Sequence, residues 1–128
     1  MEVLFLTVEE VVEIHRDQIA RYGGRPGVRD LTLLESAAAM PAATFRGRFL
    51  HRDLANMAAA YLFHLVADHP FVDGNKRVGA VAAVVFLALN GIRFAAPEDE
   101  YESVVMGVAK GKIRKPEVTA FFKKYVNR

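Results

Sequence analysis

The feature that most constrains the fold is an apolar run at residues 78–90, which reads VGAVAAVVFLALN. The run contains no charged residue, and the Asn90–Gly91 pair at its end is typical of a helix that closes on a left-handed residue. We predict a helix that starts near Gly74 or Asn75 and lies at the buried centre of the fold, because all of its sides are apolar. About a dozen residues are too few to span a bilayer, which takes about 20, so no membrane association is expected.

Hydrophobic periodicity predicts helices along most of the remaining chain, so the expected fold class is all-α. Capping boxes mark two helix starts, Thr7 with Glu10 and Thr32 with Glu35, and Asp53 can cap a third helix. No helical stripe runs through the stretch between the second and third helices, PAATFRGRFL, which predicts a small hairpin or flap. The expected helices are a first over 8–21, a short one from Thr32 that ends before Pro41, a third from Asp53 to near Asp68, the apolar helix, a fifth over 98–110 and a last from Pro116.

The composition bounds the class of protein. A chain of 128 residues with 52% hydrophobic residues can bury a proper core, and its length predicts one domain over residues 1–128. It has no Cys, so neither a disulfide nor a Cys-based zinc site can form, which fits a reducing compartment. At its start, MEVLFLTVEE, acidic residues stand where a signal peptide needs basic ones and a long apolar stretch. We therefore expect a cytoplasmic protein.

Positive charge is concentrated at the C-terminal end of the chain, although the net charge is only +2. Such a segment can bind nucleic acid or an acidic partner, or it can be a solvated helix face whose cations favour a helix C-terminus. We favour the solvated face, and direct binding of nucleic acid is not expected. The cations are Lys110, Lys112, Arg114, Lys115, Lys123, Lys124 and Arg128, with Glu117 as the one acid among them.

Polar residues crowd the loop in front of the apolar helix, HPFVDGNKR at residues 69–77. The first turn of a helix offers free backbone N–H groups and a positive dipole end, which bind anions. Gly74 lets the backbone approach a ligand, while Asn75, Lys76 and Arg77 add an amide, an ammonium and a guanidinium that can bind phosphate. These four residues form the candidate phosphate site.

Two further groups in this loop fit phosphate transfer. Asp73 is a single carboxylate next to the candidate phosphate site. Proteins usually hold Mg²⁺ with one or two carboxylates together with phosphate oxygens, so Asp73 suits this ion. His69 can take a proton from an attacking hydroxyl. Each residue also has a structural alternative: His69 can cap the preceding helix, Asp73 can be the N-cap of the apolar helix, and Lys76 and Arg77 can be solvated. The crowding of these groups in one loop favours the functional interpretation. A metal trio of His64, His69 and Asp73 is a weaker hypothesis, because a His on a helix face is more often packed or exposed.

The loop resembles the signature of the Fic/Doc family, H-x-F-x-[D/E]-[G/A]-N-[G/K]-R. Every defined position matches, from His69 and Phe71 to Arg77. The resemblance to the death-on-curing (Doc) branch extends to two further stretches, RYGGRPGVRD and TFRGRF, so it covers essentially the whole chain. It implies a compact α-helical bundle, which agrees with the six helices and the small flap expected from the sequence.

In the adenylylating branch of the family, Gly stands at the position of Lys76 and a second Arg at the position of Ala80. The resemblance therefore implies a Doc-like toxin, which transfers the γ-phosphoryl group of ATP to a threonine of translation elongation factor Tu and stops protein synthesis. Gly74 stands where the Doc type has Ala, so AMP transfer is the alternative, followed by a catalytically silent binding module. The implied roles are His69 as general base, Asp73 as Mg²⁺ ligand, and Gly74, Asn75, Lys76 and Arg77 as phosphate ligands.

The resemblance also implies which proteins the chain binds, namely an inhibitor and a protein substrate. Self-silencing Fic proteins carry an [S/T]-x-x-x-E-[G/N] segment whose Glu pairs with the second Arg, and this chain has neither. We therefore expect inhibition by a separate, Phd-like antitoxin whose disordered acidic tail folds onto the bundle. Arg46 and Arg48 in the flap are expected either to clamp a segment of the protein substrate as an added strand or to be plain loop cations.

Overall fold

A computed structural model describes residues 2–127 of the chain as a mostly helical bundle. The all-α prediction is confirmed, since regular structure in these residues is helical apart from four strands of two residues each. The helices are α1 Val8–Tyr22, α2 Leu31–Ala39, α3 Leu54–Ala67, α4 Asn75–Leu89, α5 Glu98–Ala109 and α6 Lys115–Tyr125, and a 3₁₀ turn at Met40–Ala42 follows α2. No helix among the described residues has the length and apolar character that crossing a membrane requires.

Two of the predicted helix caps are confirmed, and α4 and α5 begin at Asn75 and Glu98, as predicted. The Thr7 hydroxyl accepts a hydrogen bond from Glu10 N at 3.1 Å, and the Glu10 carboxylate accepts one from Thr7 N at 2.9 Å, which completes the predicted capping box of α1. Asp53 caps α3 by accepting a hydrogen bond from Asn56 N at 2.8 Å. In both helices a local side chain binds N–H groups that the first turn leaves without a partner.

The predicted capping box of α2 is wrong. Asp30 is the N-cap, and its carboxylate accepts a hydrogen bond from Leu33 N at 3.0 Å. The helix therefore begins at Leu31, ahead of Thr32. Asp30 comes two residues before Thr32 in the chain and binds the backbone N–H of Leu33. The helix therefore starts at the earlier of the two candidate caps.

The centre of the bundle is α3, not the apolar helix α4 that the sequence predicts. Ten of the 14 residues of α3 are buried, against six of the 15 residues of α4. The physical reason is that one side of α4 is not fully covered by other helices: its apolar residues Ala80, Val81, Val84 and Val85 are only partly buried, and Ala88 and Leu89 are exposed. Gly79 permits close packing of the two helices, because a Cβ there would lie 2.6 Å from Val66 Cγ2 and 3.1 Å from Leu62 O.

A hairpin forms between α2 and α3, as predicted, from the antiparallel strands β1 Thr44–Phe45 and β2 Arg48–Phe49. Its turn residues Arg46 (φ 52°) and Gly47 (φ 78°) both lie in the left-handed region, which suits a two-residue hairpin turn. A second small sheet pairs β3 Arg93–Phe94 with β4 Val126–Asn127. The sequence does not predict it, because strands of two residues are too short to show an alternating pattern.

Lys115, at the start of α6, joins three parts of the chain. Its Nζ lies 3.0 Å from Nε2 of His64 on α3 and 3.1 Å from Nε2 of His51, in the segment between the hairpin and α3. An ammonium only donates hydrogen bonds, so both imidazoles accept and are neutral. Burial, followed by the charge of Lys115 and then by His51, lowers the pKa of His64 to about 4. The carboxylate that faces this cluster is Asp68, whose Oδ2 lies 3.8 Å from His64 Nδ1.

This cluster makes the stability of the fold sensitive to acid. His64 has a pKa of about 4 in the folded chain and 6.5 as its ordinary value, so the unfolded chain binds the extra proton first as the pH falls. The contribution of neutral His64 to the free energy of unfolding is full above pH 6.5 and is lost between pH 6.5 and about 4. We expect His64→Gln to flatten the pH dependence of this free energy over that range, as measured by urea unfolding.

The control for this prediction is Val66→Ala, which removes core packing without removing a titrating group. It should lower the free energy of unfolding by a similar amount at every pH in the range. If the curves of His64→Gln and the parent protein run parallel, His64 does not carry the acid sensitivity.

Candidate functional site

The residues of the candidate phosphate site lie where the stretch between α3 and α4, which we call the motif loop (residues 68–74), meets the first turn of α4. A second stretch, the bracing loop (residues 23–30), runs against it, and Val28 and Phe71 form an antiparallel bridge between the two. The Gly/Pro-rich bracing loop thus has a structural task, which is to align the motif loop. The backbone hydrogen bonds between them are Arg29 N to Pro70 O (2.8 Å), Asp30 N to Pro70 O (3.1 Å) and Val72 N to Gly27 O (3.0 Å).

Phe71 anchors the motif loop in the core, where 1% of its surface is exposed. The ring of His15 stacks on it with the centroids 3.9 Å apart, and His15 Nε2 donates to Asp73 O at 2.7 Å. The side-chain amide of Asn75 accepts from Phe71 N (2.9 Å) and donates to Phe71 O (3.0 Å). One N–H of this amide is therefore used inside the loop. Phosphate binding by Asn75 stays a prediction, and its backbone N–H lies at the start of α4.

Asp73 is held as an ionised carboxylate by backbone N–H groups. Its Oδ2 accepts from Arg25 N at 3.0 Å, and its Oδ1 accepts from Gly74 N at 2.8 Å. These bonds, first that of Arg25 and then that of Gly74, lower the pKa of Asp73 from its ordinary value. The N-cap of α4 is Gly74, so the alternative in which Asp73 caps this helix is wrong.

The first turn of α4 is open to a ligand. A side chain caps each of α1, α2 and α3, whereas none of the described side chains caps α4, whose N-cap Gly74 has φ 77°, or α5, whose N-cap is Pro97. The first N–H groups of a helix have no partner within it, and together with the helix dipole they attract an anion. Glycine adopts this φ without strain and leaves the backbone uncovered. The start of α4 therefore leaves its first N–H groups without a side-chain partner among the described residues, and anion binding there stays a prediction.

Lys76 and Arg77 differ in what they contact. Lys76 is exposed. Arg77 is tied to the end of α1, because its Nη2 donates to Gly23 O at 2.8 Å and its Nη1 to Gln18 O at 3.2 Å. The guanidinium is thereby fixed close to Asp73, whose pKa it helps to lower. Phosphate binding by the remaining N–H groups of Arg77 stays a prediction.

A cleft of about 640 Å³ opens in front of this helix start. His69 is exposed there, directly after Asp68, which is the C-cap of α3, so His69 does not cap that helix. Three cations and one carboxylate line the cleft, and this balance favours an anionic ligand. The lining residues are His69, Val72, Asp73, Gly74, Asn75, Lys76, Arg77, Met106, Ala109 and Lys110.

The single carboxylate of the cleft fits a magnesium ion that arrives with a phosphate ligand. Each oxygen of Asp73 accepts one N–H and keeps a further lone pair. Mg²⁺ usually keeps several waters and takes one or two carboxylates together with phosphate oxygens. Within residues 2–127 no group of three or more His, Cys, Asp or Glu could hold a metal. The trio of His64, His69 and Asp73 is therefore not assembled, and His64 instead accepts from Lys115.

The hairpin cations do not line the cleft in front of α4. Phe49, at the base of the hairpin, lines a separate cleft of about 470 Å³ with Asn90, which follows the end of α4. Arg46 and Arg48 are not among the residues that line the cleft of His69. Their role as a substrate clamp stays a prediction.

The basic C-terminal end does not form one surface. Lys110 lines the cleft, while Lys115 donates to two imidazoles. The prediction of a solvated face is confirmed for the exposed Lys112 and Arg114, and it is wrong for Lys115. Arg128 lies outside the described residues.

Sequence reasoning missed residues of the bracing loop that build the site. The backbone N–H of Arg25 binds Asp73, and Gly24 makes room for it. A Cβ on Gly24, whose φ is 120°, would lie 2.9 Å from both Asp73 Oδ2 and Arg77 Nη2. The available signal was the pair of adjacent glycines, which marks a tight turn but does not say what approaches it.

Comparisons with known proteins agree on a family. A family model described as "Fic/DOC family" matches residues 5–87. The chain is 45% identical over 78 residues to a protein named Toxin Doc from Mycolicibacterium smegmatis, a match that covers 61% of this chain and 60% of that protein. It is 33% identical over 109 residues to a protein named Protein kinase doc from Escherichia phage P1, which covers 84% of each chain. The chain thus spans less than two thirds of the first relative and most of the second.

We expect Gly24→Ala to disturb the carboxylate of the site. The new Cβ would push Asp73 away from Arg25 N, so the pKa of the Asp73 carboxyl should rise toward its ordinary value, as followed by carbon NMR during a pH titration. The strained backbone should also cost about 1–3 kcal/mol of stability. Gly23→Ala is the matched control, since its φ is also positive (81°) but nothing lies within 4 Å of the added Cβ. An unchanged pKa of Asp73 in Gly24→Ala would show that the bracing loop does not hold this carboxylate.

Proposed function

This chain belongs to the Doc branch of the Fic/DOC family, and we propose that it is a Doc-like toxin. In this proposal it transfers the γ-phosphoryl group of ATP to a hydroxyl of a protein substrate. The observation that carries the proposal is the uncapped start of α4, which faces a cleft lined by His69, Asp73 and three cations. The names of the two relatives, a toxin and a protein kinase, support the same function. We also infer a single domain over residues 1–128, because one hydrophobic core includes residues from Leu6 to Phe122.

The phosphates of ATP would bind at the first turn of α4. The backbone N–H groups of residues 75–77 and the positive end of the helix dipole favour anionic oxygens there. Lys76 and Lys110 add compact charges at the cleft, and Arg77 adds a guanidinium that suits phosphate oxygens. Asp73 would hold Mg²⁺, which neutralises phosphate charge when bound.

His69 is the proposed general base. Its imidazole takes the proton of the attacking hydroxyl, whose oxygen forms a bond to the γ-phosphorus. The bond from the γ-phosphorus to the bridging oxygen breaks, and ADP leaves with that electron pair. His69 then releases the proton to solvent, so the products are ADP, a phosphorylated protein and one proton. The exposure of His69 at the cleft allows a side chain of another protein to reach it.

Two positions favour phosphoryl transfer over AMP transfer. Lys76 adds a cation at the cleft where the adenylylating pattern has Gly. Ala80 stands where that pattern has a second Arg, and its carbonyl accepts a hydrogen bond from Tyr101 Oη at 2.6 Å. Because this second guanidinium is absent, it cannot attract the terminal phosphate to a position away from His69. Protein adenylylation is the runner-up, and a silent binding module is disfavoured by the complete motif.

The protein target follows from the resemblance to Doc-type toxins. We propose a threonine of elongation factor Tu as the acceptor and the cytoplasm as the setting. Arg46 and Arg48 are the proposed clamp for the substrate segment, since the short hairpin of β1 and β2 can accept an added strand. Neither arginine lines the cleft of His69, so such a segment would have to reach both the hairpin and the cleft.

A Phd-like antitoxin is the proposed inhibitor. Its acidic residues would suit Lys76 and Lys110 at the cleft. Its apolar face would suit a mainly apolar groove of about 420 Å³ that Val81, Tyr101 and Val105 help to line and that continues into the cleft. A disordered tail that folds as a helix on binding can cover such a groove.

We predict that incubation with Mg²⁺, a translation extract and ATP labels a protein hydroxyl from the γ-phosphate and not from the α-phosphate. His69→Ala should reduce the transfer rate by about 10² to 10⁴, the range for loss of a general base, and should leave ATP binding nearly intact. Lys112→Ala, which removes an exposed cation outside the lining of the cleft, is the matched control and should retain full activity. The readouts are radiolabel on protein and the nucleotide affinity by calorimetry.

The two labels separate the competing functions. Transfer of the α-label alone would move the assignment to adenylylation, and transfer of neither label would leave the binding module. Unchanged transfer by His69→Ala would remove His69 from the chemistry.

Expression of the chain alone should arrest growth, and co-expression with its antitoxin should restore it. The reason is that residues 1–128 contain neither the [S/T]-x-x-x-E-[G/N] segment nor the second Arg with which Fic proteins silence themselves. The His69→Ala chain should be harmless at the same level of expression. Harmless expression of the unmodified chain at good yield would count against both the toxin function and inhibition by a partner.

A further inference from the structure

Arg29 of the bracing loop hydrogen-bonds to three successive backbone carbonyl groups where α3 ends. Its Nη2 donates to Asp68 O at 3.0 Å, and its Nε donates to His69 O at 2.6 Å. Its backbone N–H donates to Pro70 O at 2.8 Å. Carbonyl groups at a helix C-terminus have no partner inside the helix, and the fixed fork of a guanidinium matches two neighbouring oxygens.

These bonds surround a residue in an uncommon conformation. His69 has φ 49°, in the left-handed region that side chains other than glycine rarely adopt. It also precedes Pro70, whose ring favours extended backbone in the residue before it. Arg46 is the other non-glycine residue with positive φ among residues 2–127, but it lies in a hairpin turn that calls for this geometry. The left-handed backbone of His69 persists because its surroundings impose it.

The backbone conformation decides where the imidazole of His69 points. Within the described part of the chain, the hydrogen bond of His69 is made by its carbonyl and not by its ring. A relaxation of φ from the left-handed to the extended region would redirect the Cα–Cβ bond. It would therefore move the imidazole relative to the start of α4.

We propose that Arg29 is the positioning residue for His69. Its fork holds the carbonyls of Asp68 and His69 together and keeps the chain in the left-handed turn that directs the imidazole to the cleft. Arg29 is not among the residues that line the cleft, so it acts through the backbone of His69 and not on a ligand. The inference rests on the proposed function, because that function makes His69 the base to be positioned.

The test compares two variants with a control. Arg29→Met keeps much of the stem and removes the fork, and Arg29→Lys keeps the charge but cannot bridge two carbonyls in the same geometry. Arg29→Met should lower kcat for phosphoryl transfer about 10- to 100-fold, the effect of a small misplacement of a catalytic group. The KM for ATP should change less than about twofold, because Arg29 does not touch the phosphate site. Arg16→Met, on the exposed face of α1, should match the parent in both constants.

A second readout does not require activity. The ¹³C shifts of the Cα and carbonyl of His69 report its backbone conformation, and they should move toward extended values in Arg29→Met. If the parent transfers phosphate and Arg29→Met keeps its kcat, the positioning role is overturned while the proposed function stands. If the parent transfers nothing, the proposed function fails, and unchanged His69 shifts in Arg29→Met then overturn the positioning claim independently. Should Arg29→Met not fold, Arg29→Lys is measured in the same two ways, with the same outcomes.

Discussion

The backbone N–H groups at the start of α4 have no side-chain cap among the described residues, and the rest of the site is arranged around that opening. A capping carboxylate at this position would occupy the place of an anionic ligand. Gly74 leaves the place open, and Asp73, one residue earlier, is instead bonded to Arg25 N and Gly74 N. The helix start and the carboxylate are therefore both available, side by side, which is the combination that a metal-bound phosphate requires.

Much of the bundle serves to hold this arrangement. Gly79 of α4 lies against Val66 of α3, and further along α4 the ring of Phe86 lies 5.1 Å from that of the earlier residue Tyr61. The two helices therefore run in opposite directions. The end of α3 is thereby brought next to the start of α4. The motif loop between them is short, and Phe71 fixes its middle in the core. The bracing loop then aligns the two ends, so that His69 and Asp73 face the same cleft.

The parts of the fold that the sequence could predict are those with local signals. The capping box of Thr7 and Glu10 and the cap at Asp53 lie within one turn of the atoms that they bind, so residue types and spacing suffice. The start of α2 could not be decided this way, because Asp30 and Thr32 compete within the same few residues. The choice of α3 as the central helix depends on which helices surround it, and periodicity carries no information about neighbours.

The same distinction holds for the site. Its candidate residues are contiguous in the sequence, from His69 to Arg77, so they could be identified together. The residues that hold them were missed because they are distant in sequence: Arg25 is 48 residues from Asp73, and Arg29 is 40 residues from His69. Each of these contacts also involves a backbone atom, which every residue type has. The residue types alone therefore could not predict these pairs.

The most direct test of the anion site at the start of α4 is an amide NMR titration of the ¹⁵N-labelled protein with ATP in the presence of Mg²⁺. The proposed arrangement predicts that the backbone N–H signals of Asn75, Lys76 and Arg77 shift most, together with that of Gly74. Largest shifts around Phe49 and Asn90 in the other cleft, or no shifts at millimolar ATP, would contradict it.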